Sequence, residues 1–379
     1  MTFFILGTHP ELSLAEIQAV LGQHADSFFI SEEVLVTKTD VAKLEGLQMR
    51  LGGIMKTGTI IKTLPSLKKN EVADLIVEHS LSTAESGKIS FGISTYGKRN
   101  FDHRKHTEAI GLEAKKLLKA SGRPVRFVTS KEAALSSVIV DTNKLIKTGG
   151  EFVIIKTPQG FLIGKTQTVQ DFREWSRRDF GRPRANPKSG MLPPKVARMM
   201  INLSGADPKT ATLLDPFCGS GTIPMEAAVL GFKHVIASDV NKEATNDTRK
   251  NVDWLGKGAT LRTVHMEAQH LSLQKPVDVI VTEPSLGPAL KGREAPTQIQ
   301  NIVRVLTELY TQSFTHLYPL LKPGGKAVVA FPMFRKTKTS AFEKMEAHLK
   351  RMGFKIEGRY PYERADQHVG REIIVMSKS

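Results

Sequence analysis

"TATLLDPFCGSGTIPMEAAVLG", Thr210 to Gly231, sets an apolar run, an acidic residue, a glycine-rich turn and an apolar helical stretch in immediate succession. A short apolar run stopped by Asp215 and Pro216 fits a buried strand, and "TIPMEAAVLG" fits the helix that follows. Gly219 and Gly221 let the backbone turn sharply and approach a ligand with no Cβ in the way. The spacing of a nucleotide phosphate loop is not met, because the turn lacks the required lysine. A strand that feeds such a turn into a helix opens a doubly wound sheet, where ligands sit at the carboxyl ends of the strands.

The same alternation extends downstream. Strands are expected at "HVIASD", "LRTVHME", "VDVIVTE" and "KAVVAFP", with helices at "NKEATNDTRKNVDWLG" and "IQNIVRVLTELYTQSFTHLYPLL" between them. Residues 191–379 therefore read as an α/β domain with a doubly wound, mostly parallel sheet, its edge closed by an antiparallel hairpin of "FKIEGRYPYE" and "REIIVMSK". Upstream, residues 1–62 read as one small α+β domain and 63–168 as another. The stretch 169–190 is dense in Arg, Pro and Gly without periodicity and reads as a linker.

Composition narrows the function classes. The 379 residues carry a net charge of +16, and residues 51–200 hold 27 basic against 13 acidic side chains. A polyanion such as nucleic acid is the expected partner of that middle region. Apolar runs are too short to cross a bilayer and no signal-peptide pattern opens the chain, so no membrane partner and a cytoplasmic location are expected. The single cysteine, Cys218, allows no internal disulfide and no thiolate cluster. His103, His106, His265, His270 and His368 show no metal-ligand spacing, and no metal is assigned.

Further acidic residues fall at successive strand ends. Asp239 closes "HVIASD", where a carboxylate can accept hydrogen bonds from ribose hydroxyls, and Glu267-Ala268 follows "LRTVHM". "VTEPSLGP" then forms the loop after the fourth strand. The glycine turn is similar to the cofactor loop of Rossmann-like S-adenosylmethionine-dependent methyltransferases. That likeness implies S-adenosyl-L-methionine as cofactor, held by Asp215, Phe217, Gly219, Gly221, Thr222, Asp239, Val240, Glu267, Ala268 and Glu283. Amino-methyltransferases that act on nucleobase amines carry Asp or Asn, Pro, Pro and an aromatic ring at the fourth loop. Here the candidate catalytic positions are Glu283, Pro284, Ser285 and Leu286, so one methylene is gained, one proline is kept and the ring is lost.

Nearly the whole chain resembles the THUMP-domain tRNA guanine-N2-methyltransferases. The resemblance rests on "SSVIVDTNKLIKTGGEFVIIKTPQGFLIGKTQTVQ", "DFREWSRRDFGRP", "GMLPPKVARMMINLSG" and "LLDPFCGSGT". It implies a ferredoxin-like domain over 1–62, a THUMP domain over 63–168 that grips tRNA, and methyl transfer to the exocyclic N2 amine of a guanosine. Under this reading Lys98, Arg99, Arg104, Lys105, Arg126, Arg177, Arg178 and Arg182 are candidate RNA contacts. The protein is expected as a monomer or with a small helper subunit. Two rivals remain at this level: a non-catalytic tRNA-binding protein that retains the methyltransferase fold, favoured by the altered "EPSL", and a DNA amino-methyltransferase, disfavoured by the RNA-binding character of the N-terminal half.

Overall fold

The computed structural model describes residues 1–22, 27–38, 44–97, 103–185, 190–364 and 367–379. The chain divides into two compact units, Met1–Leu14 with Leu21–Phe172, and Arg173–Ser379 with Ala15–Val20.

Residues 1–171 contain β1 (Thr2–Leu6), α1 (Pro10–Leu21), β2 (Ser27–Ile30), β3 (Val34–Thr37), α2 (Leu44–Arg50), β4 (Ile54–Leu64), α3 (Lys69–Thr83), β5 (Ile89–Tyr96), α4 (His103–Lys119), β6 (Val125–Val128), α5 (Ser137–Thr142), α6 (Leu145–Thr148), β7 (Gly149–Thr157) and β8 (Gly160–Val169). All eight strands join one sheet in the order β2-β3-β1-β4-β8-β7-β5-β6. The boundary expected at 62/63 falls inside β4, an eleven-residue strand that pairs with β1 on one side and β8 on the other. A strand shared by both halves leaves no break in composition, so the sequence divides what the backbone joins. Along β7, Phe152 and Ile154 enter a cluster with Val72, Ile76, Ile110 and Ala114 of α3 and α4. Val153 and Ile155 enter another with Phe3, Ile5, Val34 and Val36. Both faces of this strand are covered, which is why "EFVIIK" shows no alternation. β7 and β8 form a hairpin, with antiparallel pairing from Thr157↔Gly160 onward.

The second unit holds α7 (Phe172–Phe180), α8 (Pro194–Leu203), β9 (Thr212–Asp215), α9 (Thr222–Leu230), β10 (His234–Asp239), α10 (Lys242–Leu255), β11 (Thr260–His265), β12 (Val277–Thr282), α11 (Pro296–Leu320), β13 (Leu321–Phe334), β14 (Thr339–Ser340), α12 (Ala341–Met352), β15 (Phe354–Tyr362) and β16 (Val369–Lys378). The sheet order is β11-β10-β9-β12-β13-β16-β15. β11 through β13 are parallel, and β16 and β15 add antiparallel strands beside β13. The expected doubly wound sheet with a closing hairpin is therefore present. Connections run from β9 outward to β11, then return to the other flank of β9 with β12. The switch point lies between β9 and β12, where the crevice of such a sheet takes its ligand. Tyr310 and Phe314 of α11 pack on Phe331 of β13 and fix the helix that follows the fourth loop.

The expected linker contains an ordered helix. In α7, Arg178 is buried and donates through Nε to Glu226 Oε1 at 2.7 Å, while Arg198 of α8 donates through Nε to Glu226 Oε2 at 2.8 Å. Trp175 lies against both guanidinium groups, 4.5 and 5.0 Å from its ring centre. Trp175 thus packs within the second unit. Phe180 is exposed.

Candidate active site

The turn after β9 is held by bonds that need its glycines. Gly221 has φ of +88°, and a Cβ there would meet Thr248 Oγ1 of α10 at 2.8 Å. Gly219 has φ of +52°, a conformation that costs a residue with a side chain. The Gly219 amide donates to Asp239 Oδ2 at 3.0 Å, and its carbonyl accepts from Thr248 Oγ1 at 2.8 Å. The Cys218 amide donates to the Ser238 carbonyl at 2.9 Å. Cys218 is buried within this turn, and burial, with the nearby Asp215 carboxylate second, raises its thiol well above the ordinary range. It is not a poised nucleophile.

These bonds place a cavity of about 670 Å³ at the carboxyl ends of β9 to β12. Asp215, Phe217, Gly219, Thr222, Asp239, Val240, Glu267, Ala268 and Glu283 to Leu286 all line it, so the structure brings the two expected residue sets together. Gly221 does not reach the wall and acts through backbone shape. Met191, Leu192, Gln269, Leu309 and Ser313 also line it, without a signal in the sequence.

Each carboxylate has a defined setting. Asp239 accepts from the amides of Gly219 and Asn241, the latter at 2.8 Å, which aligns it at the strand end. Asp215 is buried, and its Oδ1 accepts from Thr282 Oγ1 at 2.7 Å and from the Phe217 amide at 3.3 Å. Burial, first, and the Asp239 and Glu283 charges push its carboxyl up to about 7, against the hydrogen bonds. Its free acid form is therefore common near neutrality, and a cation in the cavity would favour the carboxylate.

Glu283 is met by a group the sequence did not announce. Arg371 of β16, 2% exposed, donates through Nε to Glu283 Oε1 and through Nη2 to the Gly190 carbonyl at 2.7 Å. Its Nη2 lies 3.5 Å from Glu283 Oε2, the less constrained of the two carboxylate oxygens. Burial holds the Glu283 carboxyl above its usual range, with Arg371 opposing that rise. Two residues on, the loop is also fixed, since the Ser285 carbonyl accepts from the Tyr310 hydroxyl of α11. Burial and the Glu283 charge raise that phenol, so it stays protonated and donating. A tethered loop thus offers one carboxylate oxygen, beside a buried proline, to the cavity.

The expected RNA contacts divide. Lys105 and Arg126 are exposed, and Arg177 is half-exposed, paired with Glu174 and stacked on Trp254. Lys98 and Arg99 lie outside the described residues, as does the side chain of Arg104. Arg178 and Arg182 are corrected by the structure. Arg178 is spent on Glu226, and Arg182, 4% exposed, donates to Thr222 Oγ1 at 2.7 Å under the cavity wall. Among the described residues no group of His, Cys, Asp and Glu is arranged to hold a metal ion, and no helix is long and apolar enough to cross a membrane.

Comparison with known proteins agrees with this geometry. Residues 182–359 match the family described as RMKL-like, methyltransferase domain. A tRNA (guanine(10)-N2)-dimethyltransferase of Methanothermobacter thermautotrophicus is 30% identical over 145 residues, 38% of this chain and 40% of that protein. The enzyme of the same name from Pyrococcus abyssi is 28% identical over 208 residues, 54% of each chain. The chain thus matches about half the length, or less, of these curated relatives. The crystal structure of TrmN from Thermus thermophilus aligns over 100% of both chains with a TM-score of 0.57 at 20% identity. The second unit has a Rossmann-like methyltransferase fold.

Proposed function

We propose that this chain is an S-adenosylmethionine-dependent RNA methyltransferase whose target is the exocyclic N2 amine of a tRNA guanosine. The observation that carries the reading is one cavity at the sheet's switch point lined by the glycine turn, Asp215, Asp239, Glu267 and the Glu283-Pro284 loop. Resemblance to relatives named as tRNA guanine-N2 enzymes gives the substrate class.

The residues fit the cofactor. Asp239, aligned by two amides, has lone pairs left for ribose hydroxyls. Ala268 and the exposed Val240 give an apolar surface beside it for a purine. Asp215 offers a partly protonated carboxyl to a cationic centre. When bound, the cofactor supplies a methyl group on a positively charged sulfur, an electrophile. Glu283 accepts a hydrogen of the target amine, orients the nitrogen and takes up the charge that develops as that proton loosens. Arg371 keeps the carboxylate ionised and aimed, and Leu286 and Phe217 supply apolar contact for the base. Residues 1–168 are the tRNA-holding part of this proposal, as a ferredoxin-like and THUMP region, with Lys105 and Arg126 meeting phosphate.

A second reading is favoured by one observation, the engagement of Glu283 by Arg371. In it the chain binds tRNA and transfers nothing. Mass analysis of nucleosides from unmodified tRNA incubated with protein and S-adenosylmethionine decides between them: N2-methylguanosine supports the enzyme, and unmodified guanosine throughout supports the binding protein.

A further inference from the structure

We propose that loops 291–294 and 335–338 and the described residues of the loop before β16, 363, 364, 367 and 368, form a binding surface for the RNA backbone flanking the target nucleotide, on the methyltransferase unit itself. The inference rests on the RNA methyltransferase reading and adds a substrate site to it. β12 ends at Thr282 and β13 at Phe334, and β16 runs antiparallel to β13 with Val369 opposite Phe334. All three loops therefore stand at the carboxyl edge of the sheet, the edge that holds the cavity.

Charge divides along that edge. On the β9–β10–β11 side stand Asp215, Asp239 and Glu267, suited to a cofactor with hydroxyls and a positive centre. On the β12–β13–β16 side Lys291, Arg293, Arg335, Lys336, Lys338 and Arg364 are all exposed, with Glu294 and Glu363 the acidic residues of these loops among the described residues. A net positive half-edge beside a nucleobase-sized cavity fits a phosphodiester chain. The chain itself joins the two places, because Gly287 lines the first cavity and Leu290 a second of about 380 Å³, and three residues span at most about 10 Å.

The surface is built rather than scattered. Arg335 donates to the carbonyls of Arg364 and Gln367 at 3.1 and 3.2 Å, and Lys336 donates to the Glu294 carbonyl at 2.8 Å. Gly292, at φ of +80°, packs so closely on His368 that a Cβ would lie 2.5 Å from the ring. Those bonds lock three loops into one plate before any ligand arrives. Gln367 lines the second cavity, and its Oε1 is buried with no hydrogen-bond partner among the described residues. A ribose 2′-hydroxyl or a base amine supplies the missing donor.

The test is the salt dependence of binding of unmodified tRNA to the full chain carrying K291Q/R293Q/K338Q, which leaves the Arg335 and Lys336 bonds in place. The control is K209Q/K233Q/K257Q, exposed lysines before β9, β10 and β11 at the opposite edge. The slope of log K against log salt should fall by about 2 to 3 in the first variant and stay unchanged in the control, with cofactor binding intact in both. An unchanged slope in the first variant, an equal loss in the control, or equal affinity of wild type for duplex DNA overturns the proposal. Wild type that binds tRNA through this edge yet forms no methylated nucleoside sinks the enzyme reading and leaves the surface standing. Methylation that survives with an unaltered slope does the reverse.

Discussion

Replacing Arg371 with methionine should unsettle the catalytic loop in a manner that depends on pH. The guanidinium is almost fully buried and joins the Glu283 carboxylate to the Gly190 carbonyl, so its removal strands the Glu283 anion and takes a donor from Gly190. Breaking a buried pair from one side costs about 3–5 kcal/mol. For a domain near 200 residues that is a fall in Tm on the order of 10 °C. Glu283 already lies above its usual range through burial, and losing Arg371 raises it further, with Asp215 from β9 and Tyr310 from α11 also facing it. A raised carboxylate binds its proton more tightly in the folded state, so stability is lost as pH rises through the folded pKa. The deficit should therefore be greatest at pH 8.5 and smaller at pH 5.5, where protonation relieves the stranded charge. R371M/E283Q should recover part of the loss at high pH by removing that charge. Thermal melts of wild type, R371M and the double variant at both pH values give the answer. A deficit that does not change with pH, or a double variant worse than R371M at pH 8.5, refutes the coupling.

Two further outcomes follow from buried carboxylates. Asp215 protonates at about 7 in the fold and near 3.9 in the unfolded chain, so its own contribution to stability is fully present below about pH 4 and is lost as pH rises to 7. Asp215→Asn should exceed wild type in Tm at pH 8, by up to about 4 kcal/mol of stability, match it at pH 4, and bind S-adenosylmethionine more weakly by calorimetry. Glu226→Gln should lower Tm by about 10 °C at neutral pH, because Arg178 and Arg198 keep their charges around a neutral amide; a shift under 2 °C would show that these pairs are not holding α7 in place.

The second unit was legible because its signals are local. Short apolar strands, glycine turns and helical stripes each sit within a dozen residues, and the carboxylates at strand ends follow from the winding rule. What escaped depends on distant partners. Arg371 reaches Glu283 across 88 positions, from a hairpin whose own pattern speaks only of an edge. "REWSRR" read as linker with arginines for RNA, and only the acid inside apolar "PMEAAV", Glu226, hinted that two arginines are buried against it. The join at β4 was hidden for a related reason, since a strand paired on both sides looks the same wherever a domain is cut. Thr282, which fixes Asp215, was in plain view in "VTEPS" but carried no pattern of its own.

The most direct test is transfer of labelled methyl groups from S-adenosylmethionine to unmodified tRNA by wild type and by Glu283→Gln, which keeps an oxygen acceptor for Arg371 but loses the ion pair, so both are assayed well below the variant's lowered Tm. The account predicts label at guanosine N2 with wild type, and a loss of at least about 100-fold with the variant while both bind cofactor and tRNA alike. Wild type and variant equally inert, with both ligands bound, would contradict it and leave a protein that holds tRNA without modifying it.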